Sequence, residues 1–356
     1  MVKKIKKSNK EELSFENEVL PYKYLITNYG ADYTVDVMIK RMREKSIIVP
    51  SFQRSYVWKI KQASRFIESL LLGLPVPGVF FSREKNTEKL LVIDGQQRLL
   101  TLFYFYEGEF AGKKKVFALE SVQQEFDGKT YKTLSEEGKR KLNDAIIHAT
   151  IIKQDVPSED ESSIFFIFER LNTGGMILAA QEIRNCIYHG DFNELLKELN
   201  QNKDWRFLYG KSTQRMRDQE LILRFFALHF EWKKYTKPVK AFLNSFMARN
   251  KDLEMYSKEN LSAIFIETVK VIHDFLGQRA FRLKAQPTAA LIDAVMVGIS
   301  KRLQSGPIVK KASLENAFST LLKDKKFITV ITTSTSDEEN VKQRIDKAVN
   351  VFSDVE

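Results

Sequence analysis

Apolar and polar positions change period along the chain. Val35, Val37, Met38 and Met42 recur at helical spacing and predict a helix over 33–45. Residues 47–49 read as a short strand stopped by Pro50. Ile60, Ala63, Ile67, Leu70 and Leu71 predict a helix over 59–72, with Gly73 at its exit and Pro75 and Pro77 barring continuation. Apolar runs at 79–82 and 90–93 flank a charged turn and predict paired strands, and a further helix is expected over 99–106. Alternation of helix and strand argues a mixed α/β unit. From about residue 136 the segments become longer, more charged and periodic. Helices are expected over 163–171, 180–188, 219–229, 239–247, 261–275 and 288–303, with a weak strand at 327–332. The expected fold class is therefore α+β: a polar tail over 1–20, an α/β domain over 21–135, and a mostly helical domain over 136–356.

Composition narrows the class. With 26 Phe and 12 Tyr among 356 residues there is ample core material. No apolar run reaches the roughly 18 residues of a membrane span, and the lysine-rich start lacks the apolar stretch of a signal peptide. Cys186 is the one cysteine, so no internal disulfide can form and a cytoplasmic location is expected. A net charge of +11 favours polyanionic partners such as DNA, although a solvated basic surface gives the same number.

One stretch departs from the packing pattern. Residues 91–98 read L-V-I-D-G-Q-Q-R, with five polar or flexible residues between a strand and a helix beginning near Gln96. A helix N-terminus exposes N–H groups and partial positive charge. Gly95 permits a sharp turn, Arg98 offers a fork for phosphate, and Gln96 and Gln97 can both donate and accept. Asp94 suits Mg²⁺ or an oriented water. Together these residues can form a nucleotide-phosphate site. The spacing D-x-x-Q also fits a capping box, with Asp94 as cap and Gln97 reaching back. That second reading needs no ligand, and one aspartate can serve both.

Gln53 and Arg54, followed by Tyr56 and Trp58, can hold a base by hydrogen bonding and stacking, or the aromatics can pack beneath the next helix. F-E-R-L-N-T-G-G at 168–175 reads as a helix end and as a polar loop able to close over a ligand.

V-P-S-F-Q-R-S-Y-V-W, L-V-I-D-G-Q-Q-R-L, F-E-R-L-N-T-G-G with Q-E-I-R-N, and R-M-R-D-Q-E-L-I-L-R at 215–224 occur in that order. This set resembles the family named for the S subunit of the GmrSD modification-dependent restriction system, over about residues 30–230. The resemblance implies a ParB/sulfiredoxin-like N-terminal nucleotide-binding domain followed by a helical domain, in a phage-defence role. It implies NTP binding and hydrolysis with Mg²⁺ or Mn²⁺, coupled to DNA cleavage by a nuclease domain. By motif, Asp94, Gly95, Gln96, Gln97 and Arg98 would bind nucleotide, with Gln53 and Arg54 beside them and Asn172, Thr173 and Gly174 closing. Asp94 would hold the metal, and Asp94, Gln97 and Arg98 would act in catalysis.

The chain departs from the family pattern at Ser55, where proline is frequent, and at Leu100, where threonine is frequent. Ala179 stands at a usual Ser or Thr cap, a loss of about 1 kcal/mol by typical values. The four histidines, His148, His189, His229 and His273, form no HNH-like cluster. A separate HNH-type nuclease subunit is therefore the expected partner, with DNA; oligomerisation is left open. A ParB-like metal-dependent nickase, pairing Asp94 with Glu68 or Glu182, and a non-catalytic nucleotide- or DNA-binding scaffold remain as alternatives. Arg206, Arg215, Arg217 and the lysines at 113–115 are candidate DNA contacts. Arg217, Asp218 and Glu220 equally fit a structural ion-pair network.

Overall fold

A computed structural model describes residues 25–49, 56–84, 87–111, 115–156, 165–167, 179–213 and 215–356 of the chain. The first elements are β1 (Leu25–Thr34), α1 (Val35–Arg43), β2 (Ile47–Ile48), α2 (Ile60–Leu71), β3 (Val79–Arg83), β4 (Leu90–Asp94) and α3 (Gln96–Glu107). A small hairpin, β5 (Glu109–Phe110) and β6 (Lys115–Val116), leads to α4 (Glu136–Asp144) and β7 (Ile146–Val156). Five strands form one mixed sheet in the order β1-β7-β3-β4-β2. β7 runs antiparallel to β1 and parallel to β3, while β4 runs antiparallel to β3 and parallel to β2.

β7 and β1 are absent from the sequence expectation, and the reason is physical. β7 lies inside the sheet and carries apolar residues on both faces. Ile147, Ala149 and Ile151 enter one core and Ile152 the other. Alternation holds over 146–150, but Ile151 and Ile152 then bury opposite faces in succession, which breaks the polar–apolar pattern that announces a strand. β1 is a largely exposed edge strand, so it shows no apolar face either.

The sheet separates two cores. One face packs against α1–α4 through Met38, Ile67, Leu102 and Leu142. Ile93, Ile152 and Phe80 on the opposite face join the core of the helical part. Glu84, after β3, adds a polar link, with His189 Nε2 at 3.4 Å and Lys251 Nζ at 3.7 Å.

The helical part comprises α5 (Ala180–Ile187), α6 (Asp191–Leu199), α7 (Lys203–Tyr209), α8 (Arg217–Glu231), α9 (Val239–Arg249), α10 (Lys258–Val271), α11 (Ala289–Leu303), α12 (Lys311–Lys323), α13 (Lys325–Thr332) and α14 (Glu338–Phe352). The whole is α+β, as the sequence predicts. The strand expected at 327–332 is instead helix α13. Asp324 Oδ1 accepts from the amides of Lys326 (2.7 Å) and Phe327 (3.1 Å), capping it. Phe327, Val330 and Ile331 then bury one helical stripe, overriding the β-propensity of the run. At α5, Glu182 Oε2 accepts from the Ala179 amide at 2.5 Å, which offsets the missing cap hydroxyl. Among the described residues no helix is long and apolar enough to cross a membrane.

Candidate functional site

β4 delivers Asp94 to its carboxyl end, and α3 starts two residues later. Gly95 sits between them with φ of 96°, the left-handed region that glycine enters at little cost. A Cβ there would lie 2.5 Å from Val79 Cγ1 and 3.3 Å from Arg98 Nη2, so a side chain has no room. As N-cap, Gly95 offers nothing to the first-turn amides of α3. The capping-box reading is thereby overturned: Asp94 ends the strand rather than capping the helix, and Gln97 reaches elsewhere.

Arg98 Nη2 donates to Gly78 O at 2.8 Å and to Asp94 Oδ2 at 2.9 Å. Gly78 precedes β3, and a Cβ on it would meet His148 O of β7 at 2.6 Å. One guanidinium thus ties the ends of two strands to the first turn of α3. Its side chain is 17% exposed whereas that of Asp94 is 42% exposed, so the carboxylate is the more accessible partner. Arg98 Nε is buried with no hydrogen-bond partner among the described residues. A buried guanidinium N–H without an acceptor is an unmet demand that an anion or water can satisfy.

Gln97 Oε1 accepts from the backbone amides of Val57 (3.0 Å) and Trp58 (3.3 Å). It anchors the segment that follows Gln53 and Arg54. Thr101 Oγ1, one turn on, donates to Gln97 O at 2.7 Å and accepts from the Tyr56 hydroxyl at 2.7 Å. Burial pushes the Tyr56 phenol up to about 12. The Tyr56 ring stands edge-on to Tyr104 and Phe110, and Trp58 stands edge-on to Phe66. Both half-buried aromatics thus pack against the neighbouring helices, as the packing reading expects. Sequence reasoning missed Gly78, Thr101 and the Gln97 anchor. Only Thr101 left a signal, four residues after Gln97 on the same helical face.

Asp94, Gly95, Gln96, Gln97 and Arg98 thus share one strand-to-helix junction. Gln53, Arg54, Asn172, Thr173 and Gly174 lie outside the described residues. Glu68 Oε1 accepts from the Gln123 amide at 2.6 Å, and Glu182 is committed to Ala179 and lies 3.7 Å from Arg215. No group of three or more His, Cys, Asp or Glu able to hold a metal gathers among the described residues.

The later motifs interlock away from this junction. Arg184 is buried and donates to Asn244 (2.8 Å), Gln181 (3.1 Å) and Glu220 (2.7 Å). Asn185 Nδ2 donates to Gln219 Oε1 at 3.1 Å. Asp218 accepts from Arg206 (2.8 Å), Asn200 (3.1 Å) and Thr213 (2.8 Å). Burial alone would raise the Asp218 carboxyl, but Thr213, Asn200 and Arg206 hold it below the usual range. Q-E-I-R-N and R-M-R-D-Q-E are therefore two halves of a buried polar clamp between α5 and α8. Arg206, on α7, is spent on Asp218 and Asn200 rather than lying on an open basic surface.

The sheet domain and its Asp94–Arg98 junction define a class: an α+β chain whose candidate site opens at a strand-to-helix turn. Residues 36–189 match the family model described as GmrSD restriction endonuclease, N-terminal domain. That stretch, from α1 to just past α5, belongs to the GmrSD N-terminal domain family and relates the chain to restriction systems of that type. An uncharacterized protein of Methanocaldococcus jannaschii is 31% identical over a region covering 19% of this chain and 16% of the relative. The chain thus spans about a sixth of the length of the curated relative it matches.

Proposed function

We propose that this chain binds and hydrolyses a nucleoside triphosphate as the DNA-sensing or regulatory part of a GmrSD-type restriction system. The observation that carries the reading is the Asp94–Arg98 pair at the Gly95 turn, where a partly exposed carboxylate, a largely buried guanidinium and a helix N-terminus meet. A divalent metal, when bound with nucleotide, neutralises charge on the phosphates. Asp94 supplies its carboxylate ligand. The amides at the start of α3 and the unpaired Arg98 Nε–H meet phosphate oxygens. Arg98, held by Gly78 O, cannot swing away, so its charge is preorganised for the transferring phosphoryl group. Gln97 spends its oxygen on Val57 and Trp58, leaving its amide N–H₂ for a ligand and coupling that ligand to the segment at 56–58. DNA cleavage is proposed to come from a separate HNH-type nuclease subunit.

Equilibrium binding of ATP, GTP, CTP and UTP with Mg²⁺, measured on the full chain and on Arg98→Ala, tests the site. Binding of at least one nucleotide, weakened in the folded variant, is expected. Equal affinity in both proteins would remove the junction from nucleotide recognition. A metal-dependent nicking assay on the chain alone, lost in Asp94→Ala, would instead favour the nickase.

A further inference from the structure

Outside the candidate site, the C-terminal end of α8 opens into a surface pocket of about 420 Å³ lined by His229, Trp232, Lys233, Lys234, Lys301 and Val349, together with Phe230 and Glu231. The volume falls within the roughly 300–1,000 Å³ of small-ligand sites. His229 is 1% exposed. Its Nδ1 is bonded to Ser300 Oγ at 3.0 Å, while Nε2 is buried with no partner among the described residues. None of Lys233, Lys234 and Lys301 forms an ion pair within 4.0 Å among the described residues. The one acidic residue in the lining, Glu231, is taken by Arg249 at 2.6 Å. Asp346 acts on Lys233 only at longer range.

We propose that this pocket binds a phosphate group, with Lys233, Lys234 and Lys301 supplying charge and His229 Nε2–H supplying a buried donor. The lysines bar a metal cation, so the orphaned imidazole nitrogen is better matched to an anion. With Ser300 donating to Nδ1, the neutral ring carries its proton on Nε2 and can donate. Burial, and after it the neighbouring Lys233, lower the Lys301 ammonium. Lysines after a helix end are ordinary partners of its dipole, which accounts for Lys233 and Lys234. It accounts neither for Lys301, on another helix, nor for the unpaired buried nitrogen. The phosphate can be free, as released by hydrolysis, or carried on a nucleic-acid strand.

The test is calorimetric titration of inorganic phosphate into the full chain bearing Arg98→Ala, so that the junction at α3 does not contribute. Saturable one-to-one binding is expected, weakened about tenfold by Lys301→Gln and unchanged by Lys311→Gln, an exposed lysine elsewhere. The His229 imidazole ¹⁵N resonances should move on addition of phosphate. Competition by oligonucleotides with and without a 5′-phosphate separates a terminal phosphate from a strand backbone. Absence of saturable binding, or equal affinity in Lys301→Gln and Lys311→Gln, would overturn the proposal. His229→Gln should also abolish binding, but Lys301→Gln, at a half-buried position, decides the question even if that core variant fails to fold.

Discussion

At the scale of single residues, the junction at 94–98 is built so that almost nothing in it is interchangeable. Gly95→Ala must force a left-handed backbone, costing about 1–2 kcal/mol, and push a Cβ to 2.5 Å from Val79 Cγ1. Thermal denaturation should show a clear loss of stability; a variant as stable as the parent would contradict this geometry. Tyr56→Phe removes the hydroxyl that Thr101 accepts and should cost about 1 kcal/mol in urea denaturation. Nucleotide affinity should hardly change, because Tyr56 packs against Tyr104 and Phe110; a large affinity loss would restore the stacking role. The residues of D-G-Q-Q-R were legible in the sequence because they interrupt two apolar runs. Their division of labour was not. D-x-x-Q spacing fits a capping box, but the left-handed turn at Gly95 moves Asp94 out of the cap position and sends Gln97 toward Val57 and Trp58.

At the scale of elements, long apolar helices such as α8 and α11 announced themselves even where they are buried all round, whereas a strand that joins two cores and a cap-driven helix did not. α2 shows its stripe of Ala63, Ile67, Leu70 and Leu71, and its observed span stays within one residue of the expected helix at each end. β7 joins both cores and so reads as neither helix nor strand, while α13 carries β-branched residues on a helix fixed by Asp324. The clamp between α5 and α8 explains why Q-E-I-R-N and R-M-R-D-Q-E occur in one chain. Arg184 reaches Glu220 and Asn185 reaches Gln219 across the two halves, while Asp218 is held from the α7 side by Arg206 and Asn200. Asp218→Ala should therefore cost about 3–5 kcal/mol, since Arg206 would lose its charged partner in a buried setting. Urea denaturation measures this, and a cost below about 1 kcal/mol would show that the Asp218–Arg206 pair contributes little.

At the scale of the whole molecule, buried ionisable groups set how stability responds to acid. Burial and Lys301 lower the His229 imidazole from 6.5 to about 3. The unfolded chain therefore binds a proton below about pH 6.5 that the folded chain refuses until about pH 3. Stability should fall as pH drops through that window, by at most about 1.4 kcal/mol per unit from this one group. A further loss is expected below about pH 4. Burial alone would raise the Asp293 carboxyl, yet Arg224 and Arg344 hold it low, so its stabilising contribution vanishes as acid protonates it. Chemical denaturation at pH 5 and pH 7 should show His229→Gln less pH-sensitive than the parent. Equal slopes would place the sensitivity elsewhere.

The central claim is that Asp94 and Arg98 serve nucleotide hydrolysis, and phosphate release measures it most directly. The full chain is incubated with each of the four common NTPs and Mg²⁺ or Mn²⁺, with and without DNA. Asp94→Ala and Arg98→Ala run alongside, with circular dichroism to establish that both fold. The account predicts metal-dependent release by the parent with at least one nucleotide and its loss in both folded variants. No release with any nucleotide under either condition, or release undiminished in the variants, would contradict it.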